Sequence, residues 1–156
     1  MQPLNREYYT YARFVADVRA LVRKTAVFEA DTLVAVARGG WMLGAALSQA
    51  LDNRRLMSVN SVYYDAQERR GACTVFNLPD LSQSRRVLML DDICDSGVTL
   101  DAVKKALQAR YPAVEIKIAT LYFKPTAIVQ PDFTLHEAAA WIDFFWEKDF
   151  LPEAPR

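Results

Sequence analysis

Two adjacent carboxylates followed by a short polar turn form the strongest candidate site in the sequence. Residues 87–99 read VLMLDDICDSGVT, so an apolar run leads directly into Asp91 and Asp92 and then to Asp95. Adjacent residues of an extended chain point in opposite directions, so one acid can face a ligand or a metal ion while the other braces the loop. The structural alternative, more typical of a bare acid pair, is solvated strand-end charge with Asp95 or Ser96 capping a helix.

The residues after Asp95 predict a phosphate-binding turn at the start of a helix. Gly97 permits a tight turn, and backbone N–H groups together with the hydroxyls of Ser96 and Thr99 can surround an anion. Acids beside a phosphate site favour a ligand that carries hydroxyls as well as phosphate. A sugar phosphate meets both requirements.

Three further segments carry residue types that suit an anion or an aromatic base. Ala37-Arg38-Gly39-Gly40 follows an apolar run, and its glycines and Arg38 can approach an anion, although a plain strand-to-helix turn is equally compatible. Lys124-Pro125 ends another apolar run, where a surface lysine before a turn proline is the alternative. Residues 141–147 read WIDFFWE, which indicates either an aromatic binding pocket or a core aromatic cluster.

The elements that must position these residues alternate between strands and helices. Short apolar runs predict buried strands, and a spacing of three to four residues between apolar side chains predicts helices. The predicted strands are 32–37, 56–64, 86–91 and 114–122, with an extended segment near 132–135, and the predicted helices are 7–24, 41–51 and 99–110. This order predicts an α/β fold with a mostly parallel sheet flanked by helices, whose ligands bind at the carboxyl ends of the strands. The helix at 7–24 adds no functional motif.

A long polar segment, residues 65–85, interrupts this alternation. Loops of this length in a compact domain are often functional flaps, and Cys73–Phe76 could form a strand within it.

Composition limits the class of protein. The 156 residues contain 19 Lys plus Arg and 19 Asp plus Glu, and a net charge of zero argues against a general nucleic-acid binder. Two cysteines and one histidine do not complete a usual zinc site. No apolar run reaches the roughly 18 residues of a transmembrane helix, and Met1–Arg13 lacks the apolar stretch of a signal peptide. We therefore expect one cytoplasmic domain over residues 1–156.

Residues 87–99 resemble the ribose-phosphate motif of the type I phosphoribosyltransferases, which transfer phosphoribosyl from phosphoribosyl pyrophosphate (PRPP) to a nitrogen base. The motif of that family is an apolar strand, two acids, two residues and then Asp-Thr/Ser-Gly-x-Thr, often with a second glycine where this chain has Val98. The resemblance implies that Asp95 is the general base. It assigns PRPP binding to Asp91, Asp92, Asp95, Ser96, Gly97, Val98 and Thr99.

The same resemblance implies a pyrophosphate loop and a flexible hood. Residues Ala37, Arg38, Gly39 and Gly40 correspond to the pyrophosphate loop, in which the family sometimes holds a cis peptide. The hood, about 63–85, begins at Tyr63-Tyr64-Asp65, with Tyr63 where the family has serine. Arg70, or its neighbour Arg69, would reach the pyrophosphate of its own or of a neighbouring subunit.

A C-terminal segment, about 124–150, resembles the purine pocket of the xanthine-guanine (hypoxanthine) branch. The resemblance implies that Lys124 recognises the purine O6 and disfavours adenine, which has a donor at that position. Trp141 would stack on the base, and the backbone of Ile142 would face its 2-position. Mg²⁺ bound with PRPP and pyrophosphate would lie near Asp91, Asp92 and Glu147.

The function implied is transfer of phosphoribosyl from PRPP to N9 of a 6-oxopurine, giving a nucleoside 5′-monophosphate and pyrophosphate in purine salvage. The choice among guanine, xanthine and hypoxanthine stays open, as does that between a homodimer and a homotetramer. A nucleotide-binding regulator of the same fold, without useful catalysis, is the alternative. A phospho-receiver domain would need another strand ending in Asp before Lys124-Pro125, and the order of elements excludes it.

Overall fold

The computed structural model describes residues 5–63 and 73–152, and eight strands with four α-helices account for most of them. The strands are β1 (Arg6–Tyr9), β2 (Thr32–Ala37), β3 (Leu56–Tyr63), β4 (Cys73–Phe76), β5 (Arg86–Cys94), β6 (Glu115–Phe123), β7 (His136–Glu137) and β8 (Trp141–Phe144). The helices are α1 (Tyr11–Thr25), α2 (Gly40–Ala50), α3 (Val98–Arg110) and α4 (Phe145–Lys148), and a 3₁₀ turn, Ala26–Phe28, follows α1.

Six strands form the main sheet in the order β4-β3-β2-β5-β6-β7. All neighbours in it are parallel except β4, which runs antiparallel to β3. β3 lies on one side of β2 in the sheet, and β5, which comes later in the chain, lies on the other side of β2. The order of strands therefore reverses at β2 and β5, and the crevice at their carboxyl ends is where such sheets bind ligands. The predicted α/β fold with a mostly parallel sheet is confirmed.

Alternation along the central strands builds a core on each face of the sheet. Leu88 and Leu90 of β5 point into a cluster formed with α1 and α2, whereas Val87 and Met89 point into a cluster formed with α3. All four side chains are fully buried. Burial of each contributes about 1.5–3 kcal/mol, so β5 is held firmly up to the two acids that follow.

The N-terminal prediction was wrong over its first residues. The helix begins at Tyr11, because the Thr10 side chain accepts a hydrogen bond from the Arg13 N–H at 3.1 Å and caps the helix there. Residues Arg6–Tyr9 instead form β1, which pairs in parallel with β8 as a separate two-stranded sheet. The segment preceding α1 therefore lies beside Trp141–Phe144, whereas the sequence placed it in a helix without a functional motif.

The other predicted elements agree with the structure to within a few residues. β5 continues past Asp91 to Cys94, because its pairing with β6 continues through Ile93 opposite Tyr122 and Cys94 opposite Phe123. The extended segment near 132–135 contributes a bridge between Phe133 and Ala119, and β7 follows it. Of the predicted hood, residues 64–72 lie outside the described residues, and Cys73–Phe76 is a strand as expected. No helix in the described ranges is long and apolar enough to cross a membrane.

Candidate active site

Two adjoining cavities open at the carboxyl ends of β2, β5 and β6. The smaller, of about 260 Å³, contains the predicted phosphate turn and the acid pair. The larger, of about 400 Å³, contains the predicted base-binding residues. Both cavities are lined by Asp92, Ile93, Asp95 and Glu147. These four residues therefore form the boundary between the two cavities.

The acid pair adopts the alternating arrangement that an extended chain predicts. Asp92 is 6% exposed, whereas Asp91 is half-buried. The Asp91 carboxylate accepts the Asp92 N–H at 2.9 Å, and the Asp92 carboxylate accepts the Ile93 N–H at 2.8 Å. Burial and then the neighbouring Asp92 raise the pKa of Asp91 well above its ordinary range. Burial and then the nearby Glu147 raise the pKa of Asp92 to about 6. Such a site gains from a bound cation.

The glycines of the predicted pyrophosphate loop allow the start of α2 to lie directly against β5. A Cβ at Gly40 would overlap the carbonyl oxygen of Leu90, and a Cβ at Gly39 would lie 2.6 Å from Oδ2 of Asp92. Gly39 has an ordinary helical backbone, with φ −55° and ψ −39°, so space rather than conformation requires glycine there. The peptide bond between Ala37 and Arg38 is cis.

The phosphate turn is closed by Gly97 and supported by the loop that follows β6. Gly97 has a φ of 79°, which favours glycine, and its carbonyl accepts the Asp101 N–H at 2.9 Å. The Val98 N–H donates to the Ser96 hydroxyl at 3.3 Å. The Ser96 carbonyl in turn accepts the Ile128 N–H at 2.9 Å, which fixes the turn against the neighbouring loop.

Lys124 contacts Asp95 between the two cavities. β6 ends beside β5, and the Lys124 N–H donates to the Cys94 carbonyl at 2.9 Å, which brings the lysine next to Asp95. The Lys124 Nζ lies 2.5 Å from Asp95 Oδ1. Both side chains are substantially exposed, so this ion pair contributes little to stability and a ligand can rearrange it.

The aromatic C-terminal segment combines a pocket wall with a core cluster. Trp141 is 52% exposed and lines the larger cavity, as does Ile142. Trp146 instead packs against four rings and stacks on Phe144 at 4.7 Å. Its buried indole N–H has no hydrogen-bond partner among the described residues, although the indole lies close enough to Asp92 to favour the charged form of that carboxylate. The segment therefore contributes Trp141 and Ile142 to a cavity wall and Trp146 to a core cluster.

The structure brings most of the predicted site residues together. The smaller cavity is lined by Ala37, Gly39, Asp91, Asp92, Asp95, Ser96, Gly97, Thr99 and Glu147, and the larger by Asp92, Asp95, Lys124, Trp141, Ile142 and Glu147. Arg38, Gly40 and Val98 line neither cavity. Burial raises the pKa of the Glu147 carboxyl. Arg38 is exposed and lies close enough to Glu147 to oppose part of that rise. Arg70 lies outside the described residues, as do Arg69, Tyr64 and Asp65.

Several residues that line the cavities were not predicted. The larger cavity also contains Asn5, Ala138–Ala140 and Phe144, and the smaller contains Ser61. Ser61 reaches the site because Ala37 pairs with Asn60 across β2 and β3, a register that the two strand patterns do not specify. Asn5 reaches it because its carbonyl accepts the Trp141 N–H at 2.9 Å. The sequence carries no short-range signal for that contact.

Comparison with known proteins agrees with this arrangement. The family model described as "Phosphoribosyl transferase domain" matches residues 6–150. Nearly the whole chain is therefore covered, from β1 beyond α4. The chain belongs to the phosphoribosyl transferase family.

Its relatives narrow the family to one branch. A solved structure named as Helicobacter pylori xanthine-guanine-hypoxanthine phosphoribosyltransferase is 35% identical, covers 92% of this chain and 95% of its own, and superposes with a TM-score of 0.86. A purine phosphoribosyltransferase from Pyrococcus horikoshii is 29% identical, covers 98% of this chain and 99% of its own, and has a TM-score of 0.82. The xanthine-guanine phosphoribosyltransferase of Idiomarina loihiensis is 29% identical over 92% of this chain and 88% of its own length. The predicted branch, the xanthine-guanine (hypoxanthine) type, is confirmed.

Proposed function

We propose that this enzyme transfers phosphoribosyl from PRPP to N9 of a 6-oxopurine base, giving the nucleoside 5′-monophosphate and pyrophosphate in purine salvage. The observation that carries the proposal is the pair of adjoining cavities. One has acids and a phosphate turn, the other has an apolar wall and a lysine, and Asp95 lines both. A reaction that joins a ribose phosphate to a flat base needs this arrangement, because the reacting atoms must meet at the boundary. The relatives named for purine substrates support the same choice.

The smaller cavity suits the PRPP donor. Backbone N–H groups at the start of α3, with the hydroxyls of Ser96 and Thr99, would hold the 5′-phosphate. Asp91 and Asp92 would bind the ribose hydroxyls, which are donors that carboxylates accept. The loop from Ala37 to Gly40 would bind pyrophosphate through its backbone, with the Arg38 cation adding charge as the leaving group departs.

The larger cavity suits a 6-oxopurine. Trp141 offers a face on which the base can stack, and Ile142 lies beside it in the wall. The Lys124 ammonium has three donors, so it can keep its contact with Asp95 and also donate to the purine O6. Adenine presents an amino group there, and two donors would then face each other.

Asp95 is proposed as the general base. It lies at the boundary of the cavities, where a carboxylate can take a proton from the purine as N9 attacks the ribose carbon. The contact with Lys124 at 2.5 Å places the carboxylate next to the residue proposed to bind the purine O6. The hood would exclude water from the site and so protect PRPP from hydrolysis.

The carboxylates of this site fit a magnesium ion that arrives with the donor. Among the described residues, no group of three or more metal-binding side chains is present. Mg²⁺ typically uses one or two carboxylates plus substrate oxygens, and the raised pKa of Asp92 beside Glu147 indicates a place that gains from a cation. Asp91, Asp92 and Glu147 are the candidate ligands, and one or two of them would hold the ion together with oxygens of the donor. When bound, Mg²⁺ would stabilise the charge that develops on the departing pyrophosphate.

The test is an assay with PRPP, Mg²⁺ and guanine, xanthine, hypoxanthine or adenine, with nucleotide detected by mass. We expect product from one or more 6-oxopurines and none from adenine. Lys124→Ala should reduce this discrimination, whereas Lys105→Ala, a lysine change on the exposed side of α3, should not. No product from any base while PRPP still binds would contradict the proposal and support a nucleotide-binding regulator.

The state in which the enzyme works is also part of the proposal. We expect a cytoplasmic homodimer or homotetramer, as the family resemblance implies. Sedimentation of the purified protein with and without PRPP measures the number of subunits.

A further inference from the structure

Strand β8, which pairs with β1 in the two-stranded sheet, contributes Trp141, Ile142 and Phe144 to the wall of the larger cavity. Arg6 lies opposite Trp141 in the register, and Tyr8 lies opposite Asp143. Side chains of alternate residues share one face of a strand, so these four side chains project from the same side. The Tyr8 hydroxyl also donates to the Asp149 carboxylate at 2.7 Å, which ties this face to the residue after α4.

Arg6 is fixed on this face by a two-pronged ion pair. Its Nε donates to Asp143 Oδ2 at 2.7 Å, and its Nη2 donates to Asp143 Oδ1 at 2.6 Å. Lys148 of α4 approaches the same carboxylate at 3.2 Å. A planar guanidinium held at two points has little freedom, whereas a lysine at this position could make only a point contact.

The fixed guanidinium lies beside the exposed ring of Trp141. The Arg6 Cζ is 6.0 Å from the ring centre, within the range of a cation–π contact. Trp141 has no aromatic neighbour among the described residues, in contrast to Trp146 with its four. The Trp141 ring therefore has the Arg6 guanidinium beside it, and its backbone is held by the pairing of β8 with β1.

We propose that Arg6 is a positioning residue for the purine base, acting through Trp141, an inference that rests on the proposed function. Arg6 does not line the cavity. It holds the indole ring in place before the base arrives, so that stacking does not require the ring to be ordered during binding. Removal of Arg6 should weaken capture of the base while leaving PRPP binding and the chemical step unchanged.

Steady-state kinetics of Arg6→Ala, Arg6→Lys and the wild type test this assignment. We expect Arg6→Ala to raise KM for the base roughly three- to tenfold, from the size of an exposed cation–π contact and a surface ion pair. The kcat and the KM for PRPP should stay within about twofold. Arg6→Lys should raise KM for the base less than Arg6→Ala does, because lysine keeps the charge but cannot donate the two hydrogen bonds to Asp143. Arg54→Ala, an exposed arginine before β3 at the opposite end of the sheet, is the matched control.

A double-mutant cycle separates positioning from a general structural role. In a Trp141→Leu background, Arg6→Ala should have no further effect on KM for the base, because the ring through which it acts is gone. An equal effect in both backgrounds would overturn the assignment, as would a parallel rise in KM for PRPP or an unchanged KM for the base. Asp143→Asn repeats the test without altering Arg6, should Arg6→Ala fail to fold.

The contribution of Arg6 to base binding can also be measured without turnover. Calorimetric titration of wild type and Arg6→Ala with guanosine 5′-monophosphate should show the weaker affinity in the variant, and equal affinities would overturn the proposal. Turnover by the wild type is measured separately. A wild type without turnover contradicts the proposed function, whereas the calorimetric comparison still decides the role of Arg6.

Discussion

Substitution of Gly39 by alanine should lower kcat/KM for PRPP by displacing Asp92, in addition to its cost in stability. The backbone of Gly39, at φ −55° and ψ −39°, accepts alanine without strain. The added Cβ would lie 2.6 Å from Oδ2, 2.7 Å from Oδ1 and 2.7 Å from Cγ of Asp92. Ordinary contact begins at 3.4 Å, so the carboxylate would have to withdraw by 3.4 − 2.6 = 0.8 Å.

The buried position of Asp92 sets the size of the expected effect. Its Oδ1 accepts the Ile93 N–H at 2.8 Å, so withdrawal of the carboxylate would weaken a part-buried hydrogen bond. A displacement near 1 Å in a catalytic site can cost about a hundredfold in rate, which corresponds to about 2.7 kcal/mol of transition-state stabilisation. The overpacking itself should cost about 1–3 kcal/mol in the free energy of unfolding.

The assay is kcat/KM for PRPP at saturating base, measured together with thermal unfolding. Gly44→Ala is the matched control, because it makes the same change on the same helix but places the Cβ 3.0 Å from Ala35 Cβ and 3.2 Å from Leu56 Cδ1. Gly44→Ala should lower stability and leave KM for PRPP unchanged. If both variants change kcat/KM equally, or if Gly39→Ala leaves it unchanged, the position of Asp92 does not control donor binding and the reasoning is refuted.

Three other predictions follow from single residues. Asp95→Asn should lower kcat by about a hundredfold or more with a much smaller change in KM for PRPP, as measured by steady-state kinetics. Iodoacetamide at about pH 8 should modify Cys73 before Cys94 in a mass-resolved time course, because burial raises the pKa of Cys94 to about 11 and leaves about one thiolate in a thousand. The hydrogen bond from Arg6 lowers the pKa of Asp143 from 3.8 to about 2. The stabilisation by this pair is therefore present above pH 3.8 and is lost as the pH falls through 2. The melting temperatures of wild type and Asp143→Asn should differ at neutral pH and converge near pH 2.

Each of these has a result that would contradict it. Undiminished turnover would remove Asp95 from the role of general base. Equal labelling rates would mean that Cys94 is accessible, although the structure buries it. A difference in melting temperature that persists unchanged below pH 2 would mean that the charge of Asp143 does not provide the stabilisation.

The main sheet and the acid site were predictable because their signals are local. The run from Val87 to Asp92 specifies a buried strand with acids at its end, and the residues from Asp95 to Thr99 specify a turn and a helix start. Parallel strands then bring their carboxyl ends to one edge whatever their exact register. The contact of Lys124 with Asp95 follows from the same rule, since β5 and β6 are neighbours.

The outer wall of the base cavity was not predictable in the same way. Residues Arg6–Tyr9 end in two tyrosines and are continuous with a helical pattern, and only the distant β8 makes them a strand. Tertiary pairing overrides local preference in such a segment. Ser61 was missed for a related reason, because its place in the site depends on register, and a one-residue slip would turn it away.

The pairing of β1 with β8 also affects when the base cavity is completed during synthesis. The ion pair between Arg6 and Asp143 joins residues 137 positions apart. Closing a chain of that length costs about 4 kcal/mol in entropy, which the pairing recovers only once both strands are present. Parallel strands of the main sheet can assemble earlier from nearer segments. A chain truncated after β6 therefore contains the central strands of the proposed donor site but lacks β8 and its part of the wall of the proposed base cavity. We expect that such a chain cannot bring the two substrates together.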